Sequence, residues 1–336
     1  LKKTTIKDIA KLAGVSKATV SRVLNGSKYV SPEAYNRVMK VIEKTGYKPS
    51  SIARSLVNKK TKVIGVLITD ISNPFYSELV KGIVEVANVY DYNILLCNSF
   101  NEFKKEVEFL EILSNKEVDG IIFMTKGVTD EHRNFLRSFK KPVVTVNRKV
   151  KEFKIPNVDI DNFKAGYDAT EHLIKLNHKR IAIIRAAETD ETAGVERFEG
   201  YKKALDDYKV PFDNRLVMEG DFKAKSGYKA MEKFLRLENP PTAVFCVNDE
   251  MACGVIKCVV ENGLNVPEDV SVVGFDDIPL ASLFIPSLTT IKQPIYDMGA
   301  VAMRLVYKLI KGEKIDKEDY ILPHKLVIRQ STKKRN

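Results

Sequence analysis

The chain has 336 residues, 55 of them Lys or Arg and 44 Asp or Glu, for a formal charge of +11. That length predicts two or three domains with ample sequence for a buried core. No run of about 18 apolar residues occurs, so no membrane span is expected, and the N-terminus shows no apolar signal-peptide core, so a cytoplasmic protein is expected. Cys97, Cys246, Cys253 and Cys258 form no CxxC pair and the four histidines are scattered. Free buried thiols in a reducing compartment are therefore expected, with no zinc site. The charge is unevenly placed: residues 1–62 hold 15 Lys/Arg and 3 Asp/Glu, the remainder 40 and 41. A local basic module points to nucleic acid, and its compact helical pattern argues against a membrane-surface segment.

The first elements read as helices. In "TTIKDIAKLAGVSKATVSRVLNG", Thr5 caps a helix that turns Ile6, Ile9, Ala10 and Ala13 inward, and Gly14 ends it. Ser16 caps a second helix whose apolar face is Val20, Val23 and Leu24. Two short helices joined by a tight glycine turn make a helix-turn-helix. An ordinary helical hairpin would not concentrate so much positive charge. The second helix is expected in a major groove, with Lys17 and Ala18 at base edges and Arg22 donating two bonds to a guanine. Thr5, Ser16, Thr19, Ser21, Asn25 and Tyr29 are further candidate phosphate or base contacts. A third helix, "SPEAYNRVMKVIEKTG", starts at Ser31 with Pro32 at its first position and ends at Gly46.

"YKPSSIARSLVNKKTK" follows, with Ser50 or Ser51 able to cap a short helix through Val57. At that length an isolated helix is marginal in water. Either Ile52 and Leu56 pack on a neighbour, or a hinge helix folds on DNA and wedges Leu56 into a minor-groove base step.

From Lys62 the pattern changes. The runs "VIGVLIT", "NILLCNS", "DGIIFM", "PVVTVN", "RIAIIRA", "TAVFCVND" and "VSVVGFDD" alternate with amphipathic helical stretches. This is the grammar of βαβ units and parallel sheets, with too many strands for one small sheet. The fold class is thus α/β: an all-α helix-turn-helix head followed by two doubly wound lobes. Loops such as "DISNPFY" and "GFDDIP" should lie at strand C-terminal ends, where ligands bind. Neither GxGxxG nor GxxxxGK[ST] occurs, and no catalytic constellation is legible. Neither a cofactor nor an enzymatic activity is expected.

Head, hinge and two-lobed body together resemble the lactose-repressor (LacI/GalR) family of bacterial regulators over nearly the whole chain, most specifically in "TIKDIAKLAGVSKATVSRVLNG" and "SSIARSLVNKK". The resemblance implies a homodimer on a pseudopalindromic operator and favours the wedge reading of Leu56. It adds Tyr47 and Ala53 to the DNA-contacting set. It implies a DNA-binding domain at 1–48, a hinge and linker at 49–61, one lobe from 62–162 with 293–322, and another from 163–292 with 323–331. The body resembles periplasmic sugar-binding proteins.

"VDGIIFM", "VTDEH", "NVPEDVSVVGFDD", "YDMGAVAMRLVYK" and "LPHKLVIRQSTK" resemble the members that control carbon catabolite genes. Their corepressor is the seryl-phosphorylated phosphocarrier protein HPr, and the matching docking positions are Tyr296, Asp297, Arg304 and Lys308. Arg304 and Lys308 lie four apart and share a helix face, about 10 Å from Asp297 along the axis. A solvated face is the plain alternative. Met298, Val301, Ala302, Leu305 and Leu309 form the stripe expected to be buried. The pocket residues resemble sugar-responsive members instead: Asn147, Arg148, Arg197, Asn248 and Asp276, with Gln293 at a lobe crossing. There Arg197 and Asp276 would hold hydroxyls of a sugar or sugar phosphate; the alternative is an interlobe ion pair without a ligand. A local sugar-operated repressor, or a sugar-binding protein without a regulatory role, are the rival functions.

Overall fold

A computed structural model describes residues 4–24, 29–47 and 60–335, which divide after Thr61 into a helical head and a larger body. Asn25, Ala53, Leu56 and the expected hinge helix lie outside the described residues.

In the head, Thr5 opens α1 (Ile6–Ala13) with a reciprocal cap: its hydroxyl accepts from the Asp8 amide while Asp8 accepts from the Thr5 amide at 2.9 Å. This satisfies two amides that the first helical turn leaves without partners. Gly14 closes α1 at φ +63°, a left-handed conformation that favours glycine. Ser16 accepts from the Thr19 amide at 3.0 Å and starts α2 (Lys17–Leu24). Ser31 caps α3 (Pro32–Thr45), with Pro32 at its first position and Gly46 at its end. Ile9, Ala10, Ala13, Val20, Val23 and Val38 make the head's core.

The body contains two six-stranded sheets. The strands are β1 (Val63–Ile68), β2 (Asn93–Asn98), β3 (Gly120–Phe123), β4 (Val143–Val146), β5 (Asn157–Ile160), β6 (Ile181–Arg185), β7 (Val217–Glu219), β8 (Ala243–Cys246), β9 (Ser271–Asp276), β10 (Thr289–Lys292), β11 (Asp319–Leu322) and β12 (Lys325–Val327). The first sheet has the order β11-β5-β4-β3-β1-β2, the second β12-β10-β9-β8-β6-β7. All pairings are parallel except β10 with β12. The helices are α4 (Pro74–Val89), α5 (Phe103–Asn115), α6 (Asp130–Ser138), α7 (Asn162–Lys175), α8 (Arg197–Asp207), α9 (Ala224–Leu235), α10 (Asp249–Glu261) and α11 (Ile295–Ile310). The central strands are covered on both faces, which is why "VIGVLI" and "AVFC" read as continuous apolar runs.

Five strands lie outside the apolar runs read from the sequence: β5, β7, β10, β11 and β12. Their polarity hides them. In β5, "NVDI" is wholly buried, yet Asn157 accepts from the Thr145 hydroxyl at 3.1 Å and Asp159 accepts from Asn162 at 2.8 Å. Buried polar strands survive when their side chains are hydrogen-bonded.

Helix α11 differs from its expected pattern. Met298, Ala302 and Leu305 are buried, but Val301 and Leu309 are only half-buried. Ala300, Met303 and Val306 are buried in addition. The helix packs on α4 and on the first sheet together, so a broad face is covered rather than one narrow stripe. The four cysteines are free; Cys253 is half-buried, the other three buried. Among the described residues, no helix is long and apolar enough to cross a membrane.

Candidate functional site

On the head, burial of Val20 and Val23 orients α2 so that Lys17, Ala18 and Arg22 are exposed. Thr19 and Ser21 are half-buried, and the Ser16 and Thr19 hydroxyls contact each other at 2.9 Å within the cap. Thr5 and Tyr29 are exposed. Tyr47 is half-buried and packs on the head's core. Helix α2 therefore exposes an ammonium and a guanidinium five residues, about 1.4 turns, apart, beside short side chains that permit close approach. That combination suits base edges and phosphates in a groove.

In the body, a polar cleft of about 680 Å³ of atom-free space, partly open to solvent, lies where strand C-terminal ends converge. Asp70 follows β1, Lys126 follows β3, Asn147 follows β4, and Asp276 ends β9. Asp190, Arg197 and Asp221 enter from the connections of the second sheet. Open parallel sheets place ligands at this edge, because the loops there are free of the ladder.

Arg197 is the cleft's most constrained cation. It is buried, its Nε donates to Asn162 at 2.9 Å, its Nη1 donates to the Val247 carbonyl at 2.6 Å, and its guanidinium lies 3.5 Å from the Phe275 ring centre. Asp276 accepts from Gln293 Nε2 at 2.7 Å and sits at φ +110°, a strained backbone for a residue with a side chain. Burial pushes its carboxyl up to about 6, against the opposing pull of Arg197 and Gln293. Arg197 and Asp276 stand on α8 and β9, both in the half built on the second sheet, and no ion pair joins them. The expected alternative of an interlobe ion pair between them is thus not what the geometry shows.

Other contacts do cross between the halves. Lys223 binds Asp70 at 2.8 Å and Ser72 at 3.0 Å. Arg148 binds Glu191 at 2.8 Å, and the Lys126 ammonium lies 4.3 Å from the Phe222 ring centre. The two halves are therefore drawn together over the cleft.

Of the six residues expected to form this site, Asn147, Arg197, Asp276 and Gln293 line it. Arg148 and Asn248 lie outside the lining. Asn248 caps α10 by accepting from the Met251 amide, and donates to the Phe222 carbonyl at 3.0 Å. It thus supports a lining residue. Sequence reading missed Asp70, Lys126, Asp190, Asp221 and Phe222 as lining residues. A usable signal existed for Asp70 and Lys126, since both follow strongly apolar strand runs.

On α11, Tyr296 donates to Glu85 of α4 at 2.6 Å, while Asp297, Arg304 and Lys308 are exposed and form no ion pair among the described residues. Tyr307 stacks on Tyr90 with ring centres 3.8 Å apart.

A helix-turn-helix head followed by a two-lobed α/β body with a polar cleft is the architecture of a DNA-binding transcriptional regulator. Residues 5–50 match the bacterial regulatory proteins of the lacI family, and residues 170–332 match the periplasmic binding protein-like domain. The chain belongs to the lacI family. It is 44% identical to catabolite control protein A of Priestia megaterium, over 98% of this chain and 99% of that protein. It is 43% identical to the HTH-type transcriptional regulator RegA of Clostridium saccharobutylicum, with the same coverage. A crystal structure of the lac repressor dimer bound to operator and the anti-inducer ONPF matches with a TM-score of 0.90 at 28% identity, covering 99% of this chain and all of that one. These relatives are regulators, not enzymes.

Proposed function

We propose that this regulator binds a pseudopalindromic operator as a homodimer, represses carbon catabolite genes, and has its DNA affinity set by an effector acting on the two-lobed body. The observation that carries the reading is the exposed face of α2, with Lys17, Ala18 and Arg22 outward over a buried apolar seam. Full-length similarity to a catabolite control protein supports the regulon class. The lac repressor's operator-bound dimer supports the assembly. Exposed Leu283 and Ile285 offer apolar surface for a second copy. In this reading 62–162 with 293–322 and 163–292 with 323–331 are the two lobes, and paired Leu56 side chains wedge the operator centre.

The decisive experiment is operator selection followed by Arg22→Ala. We expect the variant to lose about 1–3 kcal/mol on the selected site and to relax specificity at one base pair. Equal loss on selected and random DNA would reduce Arg22 to a phosphate contact.

A second input has its own support. Arg304 and Lys308 are neighbouring exposed cations without ion-pair partners, suited to a phosphoseryl group through charge-assisted hydrogen bonds. Seryl-phosphorylated HPr is the proposed partner. Calorimetry should show binding that depends on the phosphate and weakens at least about tenfold, or about 1.4 kcal/mol, in Arg304→Ala/Lys308→Ala. Equal binding of unphosphorylated HPr would sink this docking.

A further inference from the structure

Four carboxylates line the cleft, from Asp70, Asp190, Asp221 and Asp276, against two cations, Lys126 and Arg197. Lys223, outside the lining, offsets Asp70 at 2.8 Å. Both lining cations already feel lining carboxylates: Asp190 and Asp70 act on Lys126, Asp276 and Asp190 on Arg197. A negative surplus is left inside the cleft. Hydrogen-bonding capacity points the same way. Buried Asn147 Oδ1 and Gln293 Oε1 have no partner, so both await a donor. Arg197 has already committed two of its donors to Asn162 and Val247. Hydroxyl groups can donate to carboxylates and amide oxygens, whereas a phosphate dianion only accepts. Phe75, Tyr76 and Phe222 add aromatic rings to the lining, in keeping with a ligand that carries a C–H surface.

We propose that the cleft admits an uncharged, hydroxyl-rich ligand and rejects its phosphate ester, and that Asp190 is a specificity-determining residue for this choice. The proposal rests on the reading of the cleft as an effector site. Asp190 is buried, and its Oδ1 accepts from the Thr192 hydroxyl and the Ala193 amide, both at 2.9 Å. It thereby caps the π-helical turn Glu191–Glu196 that leads directly into Arg197. Its negative charge acts on both Lys126 and Arg197, the two lining cations a phosphate would need. Rejection of like charge in a desolvated site is an effective source of selectivity.

Asp190→Asn separates the charge from the cap, because the carboxamide keeps an acceptor oxygen for Thr192 and Ala193. The test is calorimetry on the full chain with D-glucose and D-ribose against glucose 6-phosphate and ribose 5-phosphate. At least one free sugar should bind, with its phosphate about a hundredfold weaker or more, a gap of about 2.7 kcal/mol. Asp190→Asn should narrow that gap to about tenfold, chiefly by tightening the phosphate ester. Asp221→Asn, whose side chain accepts from the Lys223 amide, is a second charge-removing variant and should narrow the gap in the same direction. Failure of every free sugar to bind, a phosphate ester that binds as tightly as its sugar, or a gap unchanged in both folded variants overturns the proposal. Operator binding measured alongside judges the broader reading separately. A preference for the ester in a chain that still binds operator overturns only the selectivity. Operator affinity indifferent to a bound sugar overturns control through the cleft while supporting the selectivity.

Discussion

Asp276 joins backbone strain and burial at the wall of the cleft. Its left-handed backbone and its buried carboxyl, raised to about 6, both oppose folding at neutral pH. The folded chain holds this proton more tightly than the unfolded chain does. Its contribution to stability is therefore full below about pH 4 and is lost as pH rises through about 6. Asp276→Asn should stabilise the body by about 1–3 kcal/mol at pH 8, and the two proteins should converge below pH 4. Urea unfolding at pH 4, 6 and 8 checks this; a variant less stable at pH 8 contradicts it. The same variant should lose sugar binding, since a carboxylate is a stronger acceptor for hydroxyls than an amide. Arg197 and Asp276 were legible because their local motifs resemble those of sugar-responsive regulators. Asp190 was not, since a lone carboxylate in a connecting loop shows its cleft position only after the strands are aligned.

At the scale of elements, capping chemistry made the head easy to read. Thr5, Gly14, Ser16, Ser31 and Gly46 punctuate three helices, with local hydrogen bonds at Thr5, Gly14, Ser16 and Ser31 and a left-handed backbone at Gly46. The body was read well where strands are apolar on both faces and poorly where they carry Asn, Asp or Thr. Helix α11 was read as a helix, but the width of its buried face was not, because burial on α4 depends on tertiary approach. Gly82 and Gly299 make that approach possible: a Cβ at Gly299 would lie 2.1 Å from the Leu79 carbonyl oxygen. Replacing a mid-helix glycine by alanine ordinarily favours the helix by about 1 kcal/mol. Here the helices must separate first. Gly299→Ala should therefore destabilise the body by about 1–3 kcal/mol, as overpacked cores do, reported by a lower melting temperature. A raised melting temperature would show that α4 and α11 can part freely.

Across the whole molecule, sequence pattern revealed two lobes but not the contacts that bridge them, because these join loops distant in sequence. Lys223 reaches Asp70 and Ser72, and Arg148 reaches Glu191. These pairs are partly solvent-exposed, and such pairs contribute about 0–1 kcal/mol each. Weak bridges suit a switch, since an effector that favours one lobe pose needs a coupling of only about 1–3 kcal/mol to change affinity at a second site. Removing both bridges with Arg148→Ala/Lys223→Ala should shift the unliganded protein toward open lobes and increase its radius of gyration in solution scattering. A ligand contacting both lobes would then bind about tenfold more weakly, having to close them without help, and saturation should restore the compact form. An unchanged radius together with unchanged ligand affinity would show that the bridges merely accompany closure. An unchanged radius with weakened binding would instead assign their effect to the ligand-bound pose, leaving the buried cleft contacts to hold the empty lobes together.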